Sequence, residues 1–420
     1  MAITGLGFKS LITVQDALNK IKSSISIRIK DIEELNLLSS LGRVSAEEIK
    51  ATVDIPPFDR AAMDGYAALS EDIRGASLNN PVILKVTGKI EVGEISQLTL
   101  KTGEVMEIST GAKIPEGADV VIPYEEAKRV DGYIEVYKAL PKWKNISRKG
   151  EDLRKGEIVL TKNQVIRAWN IGVLASLNIT KIKVYRKPRI GILSTGSELI
   201  ELGGKIEPGK IINSTKWMLA ALTIENGGEF IDLGTAQDDI DEIENKIKNS
   251  IEKVDIVITI GGTSVGRKDY TIKAIKKLGA KIIFHGVSIK PGKPTGVAIY
   301  NGKPIVMLSG FPVAALVGFE TFVKPIIEIV SGIKFMPLPK IRAKMSRRVA
   351  STPGVRDFLR VKVIEKNGEY YAEPLKLTGS GILSTVTKAN GIIVIPEEVE
   401  GLEENEEVEV LLLRALEESN

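Results

Sequence analysis

Three features of the chain predict an α/β protein carrying additional β domains. From Arg189 onward, apolar runs with strand character alternate with stretches of helical periodicity. Several of those runs open into turns rich in glycine and hydroxyls. On either side, residues 56–144 and the segment after 339 read as short strands separated by Gly, Pro, Asn and Asp. The expected fold is therefore multidomain α/β plus β: a three-layer α/β domain, two small β domains, and a helical or extended N-terminal region. With 420 residues, 43% of them hydrophobic, there is material for several buried cores.

The elements follow in order. Thr13 with Asp16 resembles a capping box before an amphipathic helix ending near Lys22. A second helix is expected from about Ile32 to a stop at Gly42. Strands are expected at Val82–Val86, Glu104–Ile108, Val120–Pro123, Tyr133–Val136 and Ile158–Leu160, then a helix at Ala168–Leu177. In the alternating region, strands start near Ile190, Phe230, Asp255, Lys281 and Ile305. Helices lie at Lys216–Asn226, Ile240–Lys253, Tyr270–Leu278 and Val313–Val330. A linker at Met336–Pro339 precedes strands at Phe358–Ile364, Tyr370–Glu373, Gly391–Ile395 and Val408–Leu413.

Composition narrows the chemistry. The 58 basic and 54 acidic residues leave a net charge of +4, and aromatics are 5%, so a nucleic-acid partner is not expected. No apolar run reaches the ~18 residues of a membrane helix and no signal peptide is evident, so a cytoplasmic location is expected. The absence of cysteine removes disulfides, thiolate metal sites and cysteine nucleophiles. The single histidine, His285, excludes His-pair metal sites and reads as a core residue of an apolar strand. Any catalysis must use carboxylates, lysines, hydroxyls and backbone amides.

The densest chemistry runs from Ile256 to Lys293. A β-branched strand opens at Gly261-Gly262-Thr263-Ser264-Val265-Gly266, and Asp269 follows before a helix. Glycine turns beyond strand ends expose N–H groups that bind oxyanions. By pattern alone, such a loop is equally a plain strand–helix turn, and Asp269 is equally a helix cap. Lys290-Pro291-Gly292-Lys293 sets two ammonium groups on one stiff turn, which favours an anion over inert surface lysines. Ser309-Gly310-Phe311-Pro312 leads an apolar strand into a helix whose first turn points N–H groups at an anion. Ser194–Glu198 ends a strand in hydroxyls and an acid. Asp238 and Asp239 precede a helix, and capping accounts for one of them. Asp59 and Asp64 stand five residues apart, and Glu151-Asp152 follows Arg148-Lys149-Gly150. Each is explained singly by surface pairing. Together, in a chain without cysteine, they point to a hard cation such as Mg²⁺. Gly204–Lys210 mimics the start of a P-loop, but Ile211 stands where Ser or Thr must ligate Mg²⁺ and no strand leads in, so a Walker-type site is rejected.

Taken together, these motifs resemble the molybdopterin molybdenumtransferase family (MoeA, and the E domain of gephyrin-type proteins). The carrying residues are Pro57-Phe58-Asp59, Met63-Asp64-Gly65-Tyr66-Ala67, Thr110-Gly111-Ala112, Gly150-Glu151-Asp152, Ser194-Thr195-Gly196 with Glu198-Leu199, Gly261-Gly262 with Asp269-Tyr270, Lys290–Pro294, and Gly310 with Pro312. The likeness spans nearly the whole chain. It implies a homodimer of four domains: residues 1–50 with 145–180, an inserted β domain at 51–144, a MogA-like α/β domain at 181–333, and a barrel-like domain at 334–420. The implied active site lies between the third domain and the partner's second domain. The implied reaction inserts molybdate or tungstate into adenylylated molybdopterin and releases AMP, with Mg²⁺ present, and other proteins of molybdenum cofactor biosynthesis are implied partners.

On this resemblance, Gly261, Gly262, Ser264, Gly266 and Asp269 bind the pterin–nucleotide, and Lys290, Lys293 and Ser309 hold the oxyanion or phosphate. Asp59, Asp64, Asp152, Glu198 and Asp269 are the catalytic candidates, with Thr110 nearby, and Asp59, Asp152, Glu198 and Asp269 the metal candidates. The chain departs from the family's usual Asp, Pro and Asn at Ser197, Ser309 and Phe311, which leaves room for a paralogue preferring tungstate. Two other readings stay open: a nucleotide pyrophosphatase, and a pterin-binding scaffold without turnover.

Overall fold

Thr13 starts the first helix, α1 (Val14–Ser24). Its side-chain oxygen accepts the Asp16 N–H at 3.1 Å, as the spacing predicts. The buried face comprises Val14, Ala17 and Ile21, at helical spacing. The structure is a computed structural model describing residues 11–96, 98–263, 269–375 and 381–416. The chain forms two compact units, one of Met1–Glu33, Gly42–Val44 and Lys183–Asn420, the other of Glu34–Leu41 and Ser45–Ile182.

The helix expected from Ile32 does not form. Ile32–Asn36 is a strand, Leu37–Ser40 a 3₁₀ turn, and Gly42 follows with φ 76°. Ile32, Leu38 and Leu41 are all more than half exposed, so no buried stripe holds a helix there. The Leu37 N–H goes instead to the Thr180 carbonyl at 2.8 Å.

In the second unit, β1 (Gly65–Ala68), β2 (Val82–Ile90), β3 (Glu104–Ile108), β4 (Val120–Pro123), β5 (Ala127–Val130) and β6 (Tyr133–Val136) form one sheet, ordered β4-β1-β3-β2-β6-β5. Only β2–β3 is parallel. Both faces are covered: Ala67, Met106 and Val121 pack in one cluster, Tyr66, Val105 and Ile122 in the other. A Cβ on Gly65 would lie 2.0 Å from the Ile122 carbonyl oxygen, so this close approach requires glycine. Arg60–Ala61 pairs with Ile146–Ser147, and Ile55 bridges to Leu153. The helix α2 (Ala168–Ser176) lies in the same unit.

The first unit holds the alternating region. Its sheet contains β7 (Arg189–Thr195), β8 (Glu229–Ala236), β9 (Ile256–Ile260), β10 (Lys281–His285), β11 (Gly296–Tyr300) and β12 (Lys303–Leu308), ordered β8-β7-β9-β12-β11-β10. The first four are mutually parallel, and β11 runs antiparallel to both its neighbours. The expectation of a mostly parallel sheet thus holds, and β11 is an additional strand that the sequence pattern between Pro294 and Ile305 does not predict. Every residue of β9 is buried, as a strand covered on both faces requires. Helices α3 (Ser214–Glu225), α4 (Ile240–Ser250), α5 (Tyr270–Lys277), α6 (Pro312–Gly318) and α7 (Lys324–Ser331) cover it. Ile256, Ile258, Val306 and Leu308 face the cluster containing α3, α6 and α7 residues; Val257, Ile305 and Met307 face that of α4 and α5. That alternation makes three layers.

Beyond residue 339, β13 (Lys340–Met345), β14 (Arg356–Lys366), β15 (Glu369–Pro374), β16 (Gly391–Ile395) and β17 (Glu407–Leu412) run β14-β15-β13-β17-β16, and β16 pairs back onto β14. The sheet closes into a barrel around Leu359, Val361, Val363, Ile393 and Val410. The short strand Ile289–Lys290 adds to β14 in parallel.

Candidate active site

The chain leaves β7 through α3 to β8 on one side, then crosses by α4 to β9 on the other. Loops beyond the carboxyl ends of β7 and β9 therefore diverge, and open α/β sheets bind ligands at such a switch point. A cavity of about 1150 Å³ opens there. Its walls include Thr195, Gly196, Glu198, Asn213, Gly261, Gly262, Thr263, the Lys290–Pro294 turn and Ser309–Pro312, together with Asp357 and Arg360 from β14.

Gly261 and Gly262 have φ of 90° and 61°. A Cβ would lie 2.6 Å from the Thr195 carbonyl oxygen at the first and 2.4 Å from Thr271 Oγ1 at the second. No other residue fits. Thr195 and Thr271 hydroxyls donate to the carbonyls of Ile260 (3.1 Å) and Gly261 (3.0 Å), fixing the turn. One expectation changes here: the Gly261 N–H is not open to an anion, because it continues the β9–β12 ladder to the Leu308 carbonyl at 3.0 Å. Ser264 and Gly266 lie outside the described residues.

The lysine turn is held from within. Thr295 donates to the Gly292 carbonyl through both its N–H (2.9 Å) and hydroxyl (2.7 Å), and Val287 N–H donates to the Lys293 carbonyl at 2.9 Å. Lys290 Nζ lies 2.7 Å from Asp357 Oδ2. Ser309 is buried and accepts the Phe311 N–H at 3.3 Å. Arg360 is 8% exposed, and its hydrogen bonds go to neutral oxygens, Thr385 Oγ1 at 3.0 Å and the Phe358 carbonyl at 3.4 Å. Burial lowers its pKa, partly offset by the Asp357 charge. Its charge thus has room for an anion. Sequence reasoning missed Arg360, Asp357 and Asn213. Arg360 alternates with Leu359 and Val361 along a strand, and nothing local marks its outward face as the wall of another domain's cavity.

The acids divide. Glu198 and Asp238 line the cavity. Asp239 caps α4 by accepting the Glu242 N–H at 2.8 Å. Asp269 caps α5 through the Ile272 N–H at 3.3 Å, is 8% exposed, and stands outside the cavity lining. Burial pushes its pKa up to about 6, against the lowering influence of that N–H, Lys273 and Lys276. Among the described residues, no three His, Asp or Glu gather into a metal cage. His285 has its pKa lowered by burial, partly offset by the hydrogen bond its ring donates to the Thr263 backbone carbonyl.

The comparisons agree along the length of the chain. Residues 12–178 match the family model described as MoeA N-terminal region (domain I and II), 191–329 that of "Probable molybdopterin binding domain", and 342–413 that of MoeA C-terminal region (domain IV). The chain belongs to the MoeA family. A Methanocaldococcus jannaschii protein with a provisional molybdopterin-biosynthesis name is 41% identical over 394 residues, 92% of this chain and 93% of its own. The molybdopterin molybdenumtransferase of Staphylococcus epidermidis is 34% identical, covering 96% of this chain and 95% of its own. A crystal structure of a molybdopterin biosynthesis MoeA protein from Pyrococcus horikoshii superposes with a TM-score of 0.82 at 35% identity, covering 96% of this chain and all of that one.

In the unit corresponding to the MoeA N-terminal region, the remaining predicted acids adjoin one another's segments. Lys149 N–H donates to Asp59 Oδ1 at 2.6 Å, and Asp152 N–H to the Ile55 carbonyl at 3.1 Å, so the Pro57–Tyr66 and Gly150–Asp152 motifs lie side by side. Asp64 Oδ1 accepts both the N–H (2.7 Å) and hydroxyl (3.0 Å) of Thr110, which hold its carboxyl below the usual range. The Asp152 side chain is exposed.

Proposed function

We propose that this MoeA-family enzyme inserts molybdate or tungstate into adenylylated molybdopterin with release of AMP. The observation that carries the reading is the cavity at the sheet's switch point, where Lys290, Lys293 and Arg360 set positive charge beside a glycine turn. Cleaving the phosphoanhydride builds charge on phosphate oxygens, and fixed cations stabilise it without a covalent protein nucleophile. Arg360 supplies a planar fork suited to a tetrahedral oxyanion, and Lys290 and Lys293 supply point charges. Buried Ser309 contributes a hydroxyl on the same wall.

Mg²⁺ is part of this proposal. Glu198 and Asp238 fit it, because Mg²⁺ sites pair one or two carboxylates with substrate phosphates. Bound there, the ion would neutralise phosphate charge. The family resemblance implies Asp59, Asp152, Glu198 and Asp269 as metal candidates. Of these, Glu198 faces the cavity within its unit, and Asp269 serves its helix. We further propose a homodimer in which Asp59, Asp64, Thr110 and Asp152 complete the partner's site, and the four-domain division at residues 1–50 with 145–180, 51–144, 181–333 and 334–420. Contact with other cofactor-biosynthesis proteins and a cytoplasmic location belong to the same reading. No helix among the described residues is long and apolar enough to cross a membrane.

The test is incubation of adenylylated molybdopterin with the protein, Mg²⁺ and molybdate or tungstate. AMP release that requires the oxyanion supports transfer. Release without it supports a pyrophosphatase, and binding without release a scaffold. Lys293→Ala is expected to abolish release with the fold intact.

A further inference from the structure

Phe311 is a large apolar side chain left 60% exposed on the wall of a cavity that also carries Lys290, Lys293 and Arg360. It also occupies the N-cap of α6, a position that favours Ser, Thr, Asp or Asn, and it gives that helix no side-chain cap. The ring thus incurs two local costs, an exposed aromatic surface and a forgone cap. No described aromatic ring packs on it to offset them. One edge is supported: a Cβ on Gly381 would lie 3.2 Å from ring Cδ1 and 3.6 Å from Cε1, so the ring rests directly against that glycine. Ile211, 58% exposed, adds apolar surface to the same cavity. A wall that mixes open apolar surface with cationic groups suits a ligand that is flat and aromatic at one end and anionic at the other.

We propose that Phe311 is a stacking platform for a planar heteroaromatic ring of the substrate, adenine or pterin, while its phosphates engage Lys290, Lys293 and Arg360. The assignment rests on the transferase reading and makes Phe311 a determinant of substrate affinity. Apolar Phe311 costs the oxyanion nothing directly, since its own N–H is already donated to Ser309 Oγ. Base–aromatic stacking changes affinity by about 5- to 100-fold on removal of the ring. Such binding is made equally in ground and transition states, so it appears in KM and leaves kcat alone.

The experiment titrates full-length protein, Phe311→Ala and Phe311→Trp with AMP, with a free pterin, and with inorganic phosphate. We expect Phe311→Ala to weaken AMP or pterin by about 5- to 100-fold, and the weakened ligand identifies which ring stacks. Phe311→Trp should retain that affinity and show tryptophan quenching on binding, while phosphate affinity stays unchanged in both variants. With adenylylated molybdopterin, Phe311→Ala should raise KM at constant kcat. AMP and pterin binding equally well to Phe311→Ala and to the parent chain overturns the proposal, as does failure of both rings to saturate the parent at millimolar concentration. Oxyanion-dependent AMP release combined with unchanged ring affinity removes the stack alone; loss of oxyanion dependence removes the transferase reading and leaves the ring titrations to stand by themselves.

Discussion

Replacing Asp269 by Asn separates a helix-capping role from a charged one. Its carboxyl, 8% exposed, is held with a pKa raised from 3.8 to about 6 because burial disfavours the anion. At 1.36 kcal/mol per tenfold change in proton affinity, that rise corresponds to about 3 kcal/mol. Solvent reaching part of the group reduces the effect to about 1–2 kcal/mol. Between pH ~4 and ~6 the folded chain keeps a proton that the unfolded chain has released. Stability contributed by this group is therefore complete below pH ~4, declines through that window, and stays low above it. Asn caps a helix as well as Asp and carries no charge. Asp269→Asn should thus match the parent near pH 4 and exceed it by about 1–2 kcal/mol at pH 7.5, or roughly 2–8 °C in melting temperature for a unit of this size. Thermal melts at half-unit pH steps provide the measurement. A difference that is flat with pH, or an Asn variant less stable at pH 7.5, refutes the desolvation argument. If the same variant loses AMP release while gaining stability, the carboxylate acts in the reaction at a cost to the fold.

Three other perturbations follow from the geometry. Gly261→Ala places a methyl 2.6 Å from the Thr195 carbonyl oxygen at φ 90°, so it should cost about 1–3 kcal/mol, read from chemical denaturation. Lys216 is 1% exposed, with Nζ 2.6 Å from Glu201 and 3.1 Å from Asp232. Lys216→Met should lose about 1–3 kcal/mol, less than a fully buried pair because both carboxylates reach water, with part recovered below pH ~5 as they protonate. Arg360→Met should lower tungstate or molybdate affinity about tenfold or more in equilibrium dialysis, and Arg360→Lys should recover only part, since an ammonium lacks the bidentate fork. Full recovery by lysine would show that charge alone matters there.

Much of the architecture is legible in the chain because it rests on local pattern. The β-branched run Ile256–Ile260, the Asp239 and Asp269 caps and Pro312 at a helix start each state their role within a few residues. The missed elements depend on distant partners. Gly296–Tyr300 reads as the tail of the lysine turn, yet becomes a strand by pairing with Lys281–His285 and Lys303–Leu308 on either side. Ile32–Asn36 has the composition of a helix start, but its exposed Ile and Leu side chains find no helix-facing surface. In the site, Lys290, Lys293 and Glu198 were visible as motif residues, whereas Arg360 gained meaning only when β14 was laid beside the sheet's carboxyl edge.

That placement has a mechanical cause. Ile289–Lys290 is at once the base of the lysine turn and a strand added to β14, opposite Arg356–Asp357. One backbone pairing therefore sets the register between the turn carrying Lys290 and Lys293 and the strand carrying Asp357 and Arg360. The Lys290–Asp357 ion pair at 2.7 Å lies on the same registered residues. Because a slip of one residue turns every side chain of a strand to the opposite face, the barrel cannot shift along this strand without dispersing the cationic wall. The barrel thus positions one wall of the cavity that we propose binds the oxyanion, and substitutions in its distant core should alter anion affinity to the degree that they loosen the Ile289–Lys290 pairing.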